Sequence, residues 1–155
     1  MNFFQRLKWF KKQLRWNYKY KKGKWDFMGN EKLRYQTIVD YITHLQIPNA
    51  KILDLGCGYG ALLDYLPATT YSNFTGIDLA KSAINRAKSK NYANAIFETA
   101  DIHTYIPKEK FDFIIFNEVL YYLDNQPQIV EKYSHYFKEN GYYIFSFYGI
   151  REDLI

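Results

Sequence analysis

The chain has a single cysteine, three histidines, four prolines and no long apolar run in its 155 residues. Cys57 has no second thiol with which to form an internal disulfide. With His44, His103 and His135 scattered along the chain it offers no metal-ligand cluster, so a disulfide scaffold and zinc chemistry are both excluded. No stretch reaches the ~18 apolar residues that a spanning helix requires. The opening MNFFQRLKWFKKQLRW interrupts each short apolar run with Lys or Arg, which is not the apolar segment of a signal peptide. These absences predict a cytoplasmic protein. Acidic side chains are absent from the first 25 positions, and that imbalance organises the charge of the whole molecule.

Residues 1–34 hold 11 Lys and Arg against Asp26 and Glu31, whereas residues 35–155 hold 10 basic and 14 acidic side chains. The overall charge of +5 therefore belongs to an N-terminal arm, and what the arm attracts is separate from what the body does. The body has the size and the 48% hydrophobic content of one globular domain, with an unusual aromatic load of 16 Tyr and 12 Phe. Composition shifts only near residue 30. We divide the chain there into a basic aromatic helix and loop, 1–30, and a domain, 31–155.

Phe3, Leu7, Phe10 and Leu14 repeat at the spacing of one helical face, so residues 3–21 read as an amphipathic basic helix. Asn30 stands where a cap would precede a second helix, EKLRYQTIVDYITHL, which ends before Pro48. Beyond it, strands and helices alternate: AKILDLG, a short helical ALLDYL, NFTGIDLA, helical KSAINRAKSK, NAIFETAD, KFDFIIFN, helical QPQIVEKYSHYFKE, and a final strand GYYIFSFYG. Such alternation implies a parallel sheet covered by helices on both faces.

In a sheet of this kind a ligand sits at the carboxyl ends of the strands, and the first strand–helix turn forms its floor. Gly56, Gly58 and Gly60 occupy that turn, with Ala61 where a dinucleotide fingerprint places its third small residue. Spacing alone therefore leaves a dinucleotide open. Charge argues otherwise, because a carboxylate at Asp54 repels a pyrophosphate and suits a cationic centre. Asp78, 22 residues past Gly56, ends the next strand, where an acid can take the hydroxyls of a ribose. Together they describe a nucleoside that carries a positive substituent and no phosphate.

ILDLGCGYG, FTGIDLAKSAINRAK, FETADIHTY and FDFIIFNEVLYYL, in this order over roughly residues 50–148, resemble the signature segments of class I S-adenosylmethionine-dependent methyltransferases. The resemblance implies an α/β, Rossmann-like three-layer sandwich with a mostly parallel sheet of about five strands, preceded by N-terminal helices. It implies S-adenosylmethionine as cofactor, with its methionine end over the Gly56–Gly60 loop, its ribose on Asp78 and its adenine beside Leu79, Asp101 and Ile102. Asn117 and Glu118 would face the methionine moiety and the substrate mouth, and Glu118 or a neighbouring Tyr would accept a proton where the acceptor must lose one. Cys57 is read as a small wall residue of the same loop. Trp25, Phe27, Glu31, Arg34 and Tyr35 are placed to fold over the mouth, with Arg34 paired to the cofactor's carboxylate or, in the plainer reading, exposed on a surface helix.

The acceptor implied is a small molecule or a lipid- or glycan-linked group methylated at oxygen, nitrogen or carbon. A domain that keeps the fold without the chemistry, and a nicotinamide-dependent oxidoreductase, are the rival readings. For the basic helix three remain open: lying on an anionic membrane surface with Phe3, Phe4, Trp9 and Phe10 inserted, tracking a nucleic acid, or packing its apolar face on the domain. The first would make the protein peripheral at the inner membrane surface. The family pattern has seven strands, and this chain stops at GIREDLI after the fifth, which predicts self-association as a homodimer through an uncovered edge, or a place in a longer protein.

Overall fold

The computed structural model describes residues 3–147, with side chains from Arg6 onward; the terminal GIREDLI and the side chains of Phe3 and Phe4 lie outside the described residues. α1 (Phe3–Lys21) leads through a 3-10 turn (Asp26–Asn30) into α2 (Lys32–His44). There follow β1 (Ala50–Leu55), β2 (Tyr71–Asp78), α3 (Lys81–Ser89), β3 (Ala95–Thr99), β4 (Phe111–Asn117), α4 (Gln126–Ser134) and β5 (Phe137–Ser146). The strands form one sheet in the order β3-β2-β1-β4-β5, and all neighbours are parallel. The direction of winding reverses between β1 and β4, which opens a crevice at their carboxyl ends.

Period-two alternation assigns each strand residue to a layer. Ala50 and Ile52 of β1 and Phe113 and Ile115 of β4 pack with Ile38, Val39 and Ile42 of α2 and with Ile84 and Ala87 of α3. The intervening Leu53, Leu55, Ile114 and Phe116 pack on the other face with Ile129 and Tyr133 of α4. The result is the three-layer sandwich that the alternation implied. β1 and β4 are buried on both faces, which is why they read as unbroken apolar runs. No helix among the described residues is long and apolar enough to cross a membrane.

Several element boundaries differ from the sequence reading. ALLDYL forms only a 3-10 turn, Ala61–Asp64. Asn30 does not cap α2: it lies in the preceding 3-10 turn, and Glu31, at the capping position, pairs instead with Arg34 at 3.0 Å. The last helix stops at Ser134 rather than Glu139, because residues from Phe137 already pair with β4. A bulge follows, in which the register jumps from Phe111↔Phe137 to Phe113↔Tyr142 and Lys138 reaches the buried Asp112 at 2.7 Å. β5 has a sheet neighbour on one side only among the described residues.

The largest difference is in α1. Leu7, Phe10 and Leu14, the face expected to be its apolar side, point to solvent. The half-buried face is Trp9, Lys12, Gln13, Trp16, Asn17 and Tyr20. Asn17 accepts from the Ser82 N–H at 2.9 Å and the Ser82 hydroxyl at 3.0 Å, and so caps the start of α3, which has no cap bond from its own Ala80.

Candidate active site

The crevice opens into a cleft that encloses about 930 Å³ of empty space, counting the open solvent at its mouth. Its floor is the turn after β1. The Gly56 and Cys57 N–H groups donate to the Ile77 carbonyl at 2.8 and 2.9 Å, and the Gly58 N–H donates to Asp78 Oδ2 at 3.0 Å, so the turn is fastened to the end of β2. Gly56 has φ +79° and Gly58 φ +55°. A Cβ on Gly56 would stand 2.5 Å from Val119 Cγ2, and one on Gly58 would stand 2.8 Å from Tyr20 Oη. Conformation and close approach both therefore require glycine here.

Two carboxylates lie under this turn. Asp54 is 2% exposed on the face of β1 that carries Ile52, and its Oδ1 has no hydrogen-bond partner. Burial, and then the neighbouring Asp78, push the Asp54 carboxyl up to about 7. Burial also raises Asp78, to about 6, against the Ala80 and Gly58 N–H groups that stabilise its anion. Asp78 thus closes the turn into α3 and still lines the cleft.

Three buried side-chain polar atoms lack partners among the described residues: Asp54 Oδ1, Asn117 Oδ1 and Trp25 Nε1. All three residues line the cleft. An orphaned buried polar atom costs ~1–3 kcal/mol, so their convergence on one cavity marks a place where a ligand supplies the missing partners. Two acceptors and one donor, with no basic cluster, suit a cationic, phosphate-free group.

The remaining expected residues fall as follows. Cys57, Leu79, Asp101, Ile102 and Glu118 line the cleft with Gly56 and Gly58. Burial pushes the Cys57 thiol well up, which keeps it a neutral wall residue. Asp101 Oδ1 accepts from the His103 N–H and sits 2.9 Å from His103 Nδ1, closing its own turn. Gly60 shapes the loop with φ +74° and is not a lining residue. Arg34 is not one either: its guanidinium is held by Glu31 at 3.0 Å and by Glu118 at 3.5 Å. Of the segment expected over the mouth, Trp25 and Tyr35 line the cleft, whereas Phe27 and Glu31 do not.

Glu118 adopts φ +58° at the end of β4 and is buried. Its Oε2 accepts from the Tyr121 hydroxyl at 2.8 Å and its Oε1 from the Ser146 hydroxyl at 2.9 Å. Burial and the bond to Glu118 raise the Tyr121 hydroxyl far above its ordinary range, so it remains the donor.

Sequence reasoning missed the roof. Lys12, Trp16 and Tyr20 of α1 line the cleft, as do Met28, Tyr59, Tyr122 and Leu123. Trp16 packs edge-on against Tyr122 with centroids 5.1 Å apart and lies 5.6 Å from Trp25, and the Lys19 ammonium sits over the Trp16 ring at 4.5 Å. The signal was present in the i, i+4 pair Trp16 and Tyr20, a second aromatic face on the same helix. No group of His, Cys, Asp and Glu among the described residues forms a metal site.

Residues 47–155 match the model of a family described as a methyltransferase domain. Over 122 residues the chain is 27% identical to a malonyl-[acyl-carrier protein] O-methyltransferase of Paenibacillus sp. (strain JDR-2), covering 74% of this chain and 44% of that one. It is 30% identical over 114 residues to a ubiquinone biosynthesis O-methyltransferase of Hydrogenovibrio crunogenus, covering 70% and 47%. The crystal structure of the N-methyltransferase NodS from Bradyrhizobium japonicum WM9 in complex with S-adenosyl-L-homocysteine superimposes with a TM-score of 0.64 at 26% identity, covering 74% of this chain and 60% of that one. The chain thus spans less than half the length of these two curated relatives.

Proposed function

The chain belongs to the methyltransferase-domain family, and from that premise we propose that it binds S-adenosylmethionine in the β1/β4 cleft and transfers a methyl group to a nucleophile of a small-molecule or lipid- or glycan-linked acceptor. The observation that carries the reading is the buried Asp54 carboxylate with an unpartnered oxygen, beside Asp78, under a turn whose glycines leave room for a ligand. When bound, S-adenosylmethionine supplies an electrophilic methyl on a sulfonium whose positive charge disappears on transfer.

In this reading Asp54 and Asn117 Oδ1 accept from the cationic, methionine end, and Asp78 takes the ribose hydroxyls with lone pairs not used by Gly58 and Ala80. Leu79 and Ile102 hold the adenine between apolar surfaces, and Asp101 meets its edge. Gly60 keeps the floor in shape. Since Arg34 is engaged by Glu31 and Glu118, the cofactor's carboxylate is assigned to Lys12, the cation among the lining residues. Trp16, Trp25 and Tyr122 exclude water from the reacting atoms, and alignment supplies most of the catalytic gain. The nucleophile is assigned to oxygen, nitrogen or carbon. Glu118, with Arg34 and two hydroxyls engaging its carboxylate, orients the mouth and is assigned a positioning role.

Titration calorimetry with S-adenosylmethionine, S-adenosylhomocysteine and NAD tests the assignment. Both sulfur ligands should bind, and NAD should not. Uptake of NAD with indifference to both sulfur compounds would refute it.

A further inference from the structure

α1 has two faces with different obligations. Its inner face lines the cleft with Lys12, Trp16 and Tyr20 and caps α3 through Asn17. Its outer face presents Leu7, Phe10, Leu14 and Tyr18, which are 41%, 51%, 52% and 54% exposed. At about 100° per residue these four fall within an arc of about 80°, a continuous apolar stripe running the length of the helix. A folded domain has no internal reason to expose such a stripe opposite a face already packed.

What covers it is indicated by charge. α1 carries seven Lys and Arg and no acidic residue. Lys8, Lys11 and Arg15 stand exposed along one flank of the stripe, Arg6 is exposed on the other, and Lys21 and Lys22 are exposed at its end. An apolar stripe lined by cations matches the boundary of an anionic bilayer, where side chains enter the acyl edge while ammonium and guanidinium groups meet phosphate. A nucleic acid would leave the stripe in water, and a second copy of the same helix would bring like charges together.

We propose that α1 docks the protein on an anionic membrane surface through Leu7, Phe10, Leu14 and Tyr18. The helix that lies on the lipid is also the roof of the cleft, so docking holds the cleft about one helix diameter, ~10 Å, from the bilayer surface. The docking itself does not rest on the cofactor reading, since the stripe and its charges lie outside the cleft.

The test is sedimentation of the full chain with sucrose-loaded vesicles of phosphatidylcholine alone or with about 30% phosphatidylglycerol, at low and high salt, alongside Phe10→Ser/Leu14→Ser and Lys11→Glu/Arg15→Glu. Each exposed cation contributes about fivefold and each inserted apolar side chain a comparable factor, so either double variant should lower partitioning onto the anionic vesicles by about tenfold or more. High salt should reproduce much of the charge variant's loss. Circular dichroism should be unchanged, since these positions are exposed. Absence of binding to anionic vesicles, or binding that neither double variant weakens, would overturn the proposal. So would vesicle indifference combined with a dimer in light scattering that Phe10→Ser/Leu14→Ser abolishes, or with RNA binding that Lys11→Glu/Arg15→Glu abolishes. Cofactor calorimetry on Phe10→Ser/Leu14→Ser should match the parent chain, which separates a failure of docking from a failure of the cofactor assignment.

Discussion

Replacing Asp54 with Asn should make the unliganded protein more stable and the liganded protein weaker, and both effects should depend on pH. Asp54 is held up to about 7 against a reference of 3.8. A carboxyl raised in the folded state takes a proton that the unfolded chain has already lost, so its contribution is fully present below the unfolded value and disappears as pH climbs to the folded one. Across pH 4 to 7 the folded protein therefore loses up to about 4 kcal/mol on account of this group, at ~1.4 kcal/mol for each tenfold change in proton affinity. Asp54→Asn removes that loss. At pH 8 it should raise the melting temperature of the apo protein by several degrees in differential scanning fluorimetry, at ~2–4 °C per kcal/mol for a chain of this size. A cationic ligand reverses the preference because it needs the ionised form. About nine-tenths of Asp54 is ionised at pH 8 and about one-tenth at pH 6, so affinity for S-adenosylmethionine should fall about tenfold between them. Calorimetry in two buffers of different ionisation enthalpy should show about one proton released per ligand bound at pH 6. Below pH 6 Asp78 joins in and the dependence should steepen. In Asp54→Asn the fall between pH 8 and 6 should shrink while affinity at pH 8 drops. An Asn variant that is less stable at pH 8, or a parent affinity flat from pH 6 to 8, would show that this carboxylate does not hold the ligand's charge.

Three further substitutions probe the surroundings. Gly56→Ala forces a β-carbon to within 2.5 Å of Val119 at φ +79°, and should cost about 1–3 kcal/mol in denaturant unfolding together with most cofactor binding. Asn17→Ala removes both bonds to Ser82 and should lower stability by about 0.5–2 kcal/mol, read by chemical denaturation, with α1 still helical. Glu118→Gln should reduce turnover by less than about a hundredfold and leave the shape of the pH–rate profile unchanged; loss of an acidic limb would make Glu118 a general base after all.

The floor of the site was legible in the sequence because its parts are local. Strand periodicity placed β1, β2 and β4, and the ends of β1 and β2 then placed Asp54, Gly56 and Asp78 on one edge of the sheet without knowledge of any long-range contact, whereas Asn117 and Glu118 entered through the family resemblance. Arg34 was a different case. Its helix was foreseen, yet which carboxylate it would meet depended on Glu118 taking a left-handed backbone and turning towards α2, and no local pattern encodes that. The bulge in β5 was hidden for the same reason: residues 137–139 continue a helical pattern, and only pairing with Phe111 and the demand of buried Asp112 for Lys138 end it.

α1 shows why an amphipathic helix cannot be oriented by its aliphatic residues alone. Leu7, Phe10 and Leu14 make the cleaner period, but Trp16 and Tyr20 offer more apolar area per side chain and carry polar atoms that a cleft can use. Where one helix has two apolar faces and a domain has one groove, the larger and more polar-tipped rings win the groove, and the aliphatic stripe is left for something else. The same choice explains the position of the charges. Lys12 lies on the inner face and lines the cleft, while Lys8, Lys11 and Arg15 stay with the stripe in solvent. Cations on both faces would be redundant for an arm that met only one partner. A helix that roofs the cleft on one side and faces solvent with Leu, Phe and Lys on the other has two surfaces to satisfy, and only the first is satisfied among the described residues.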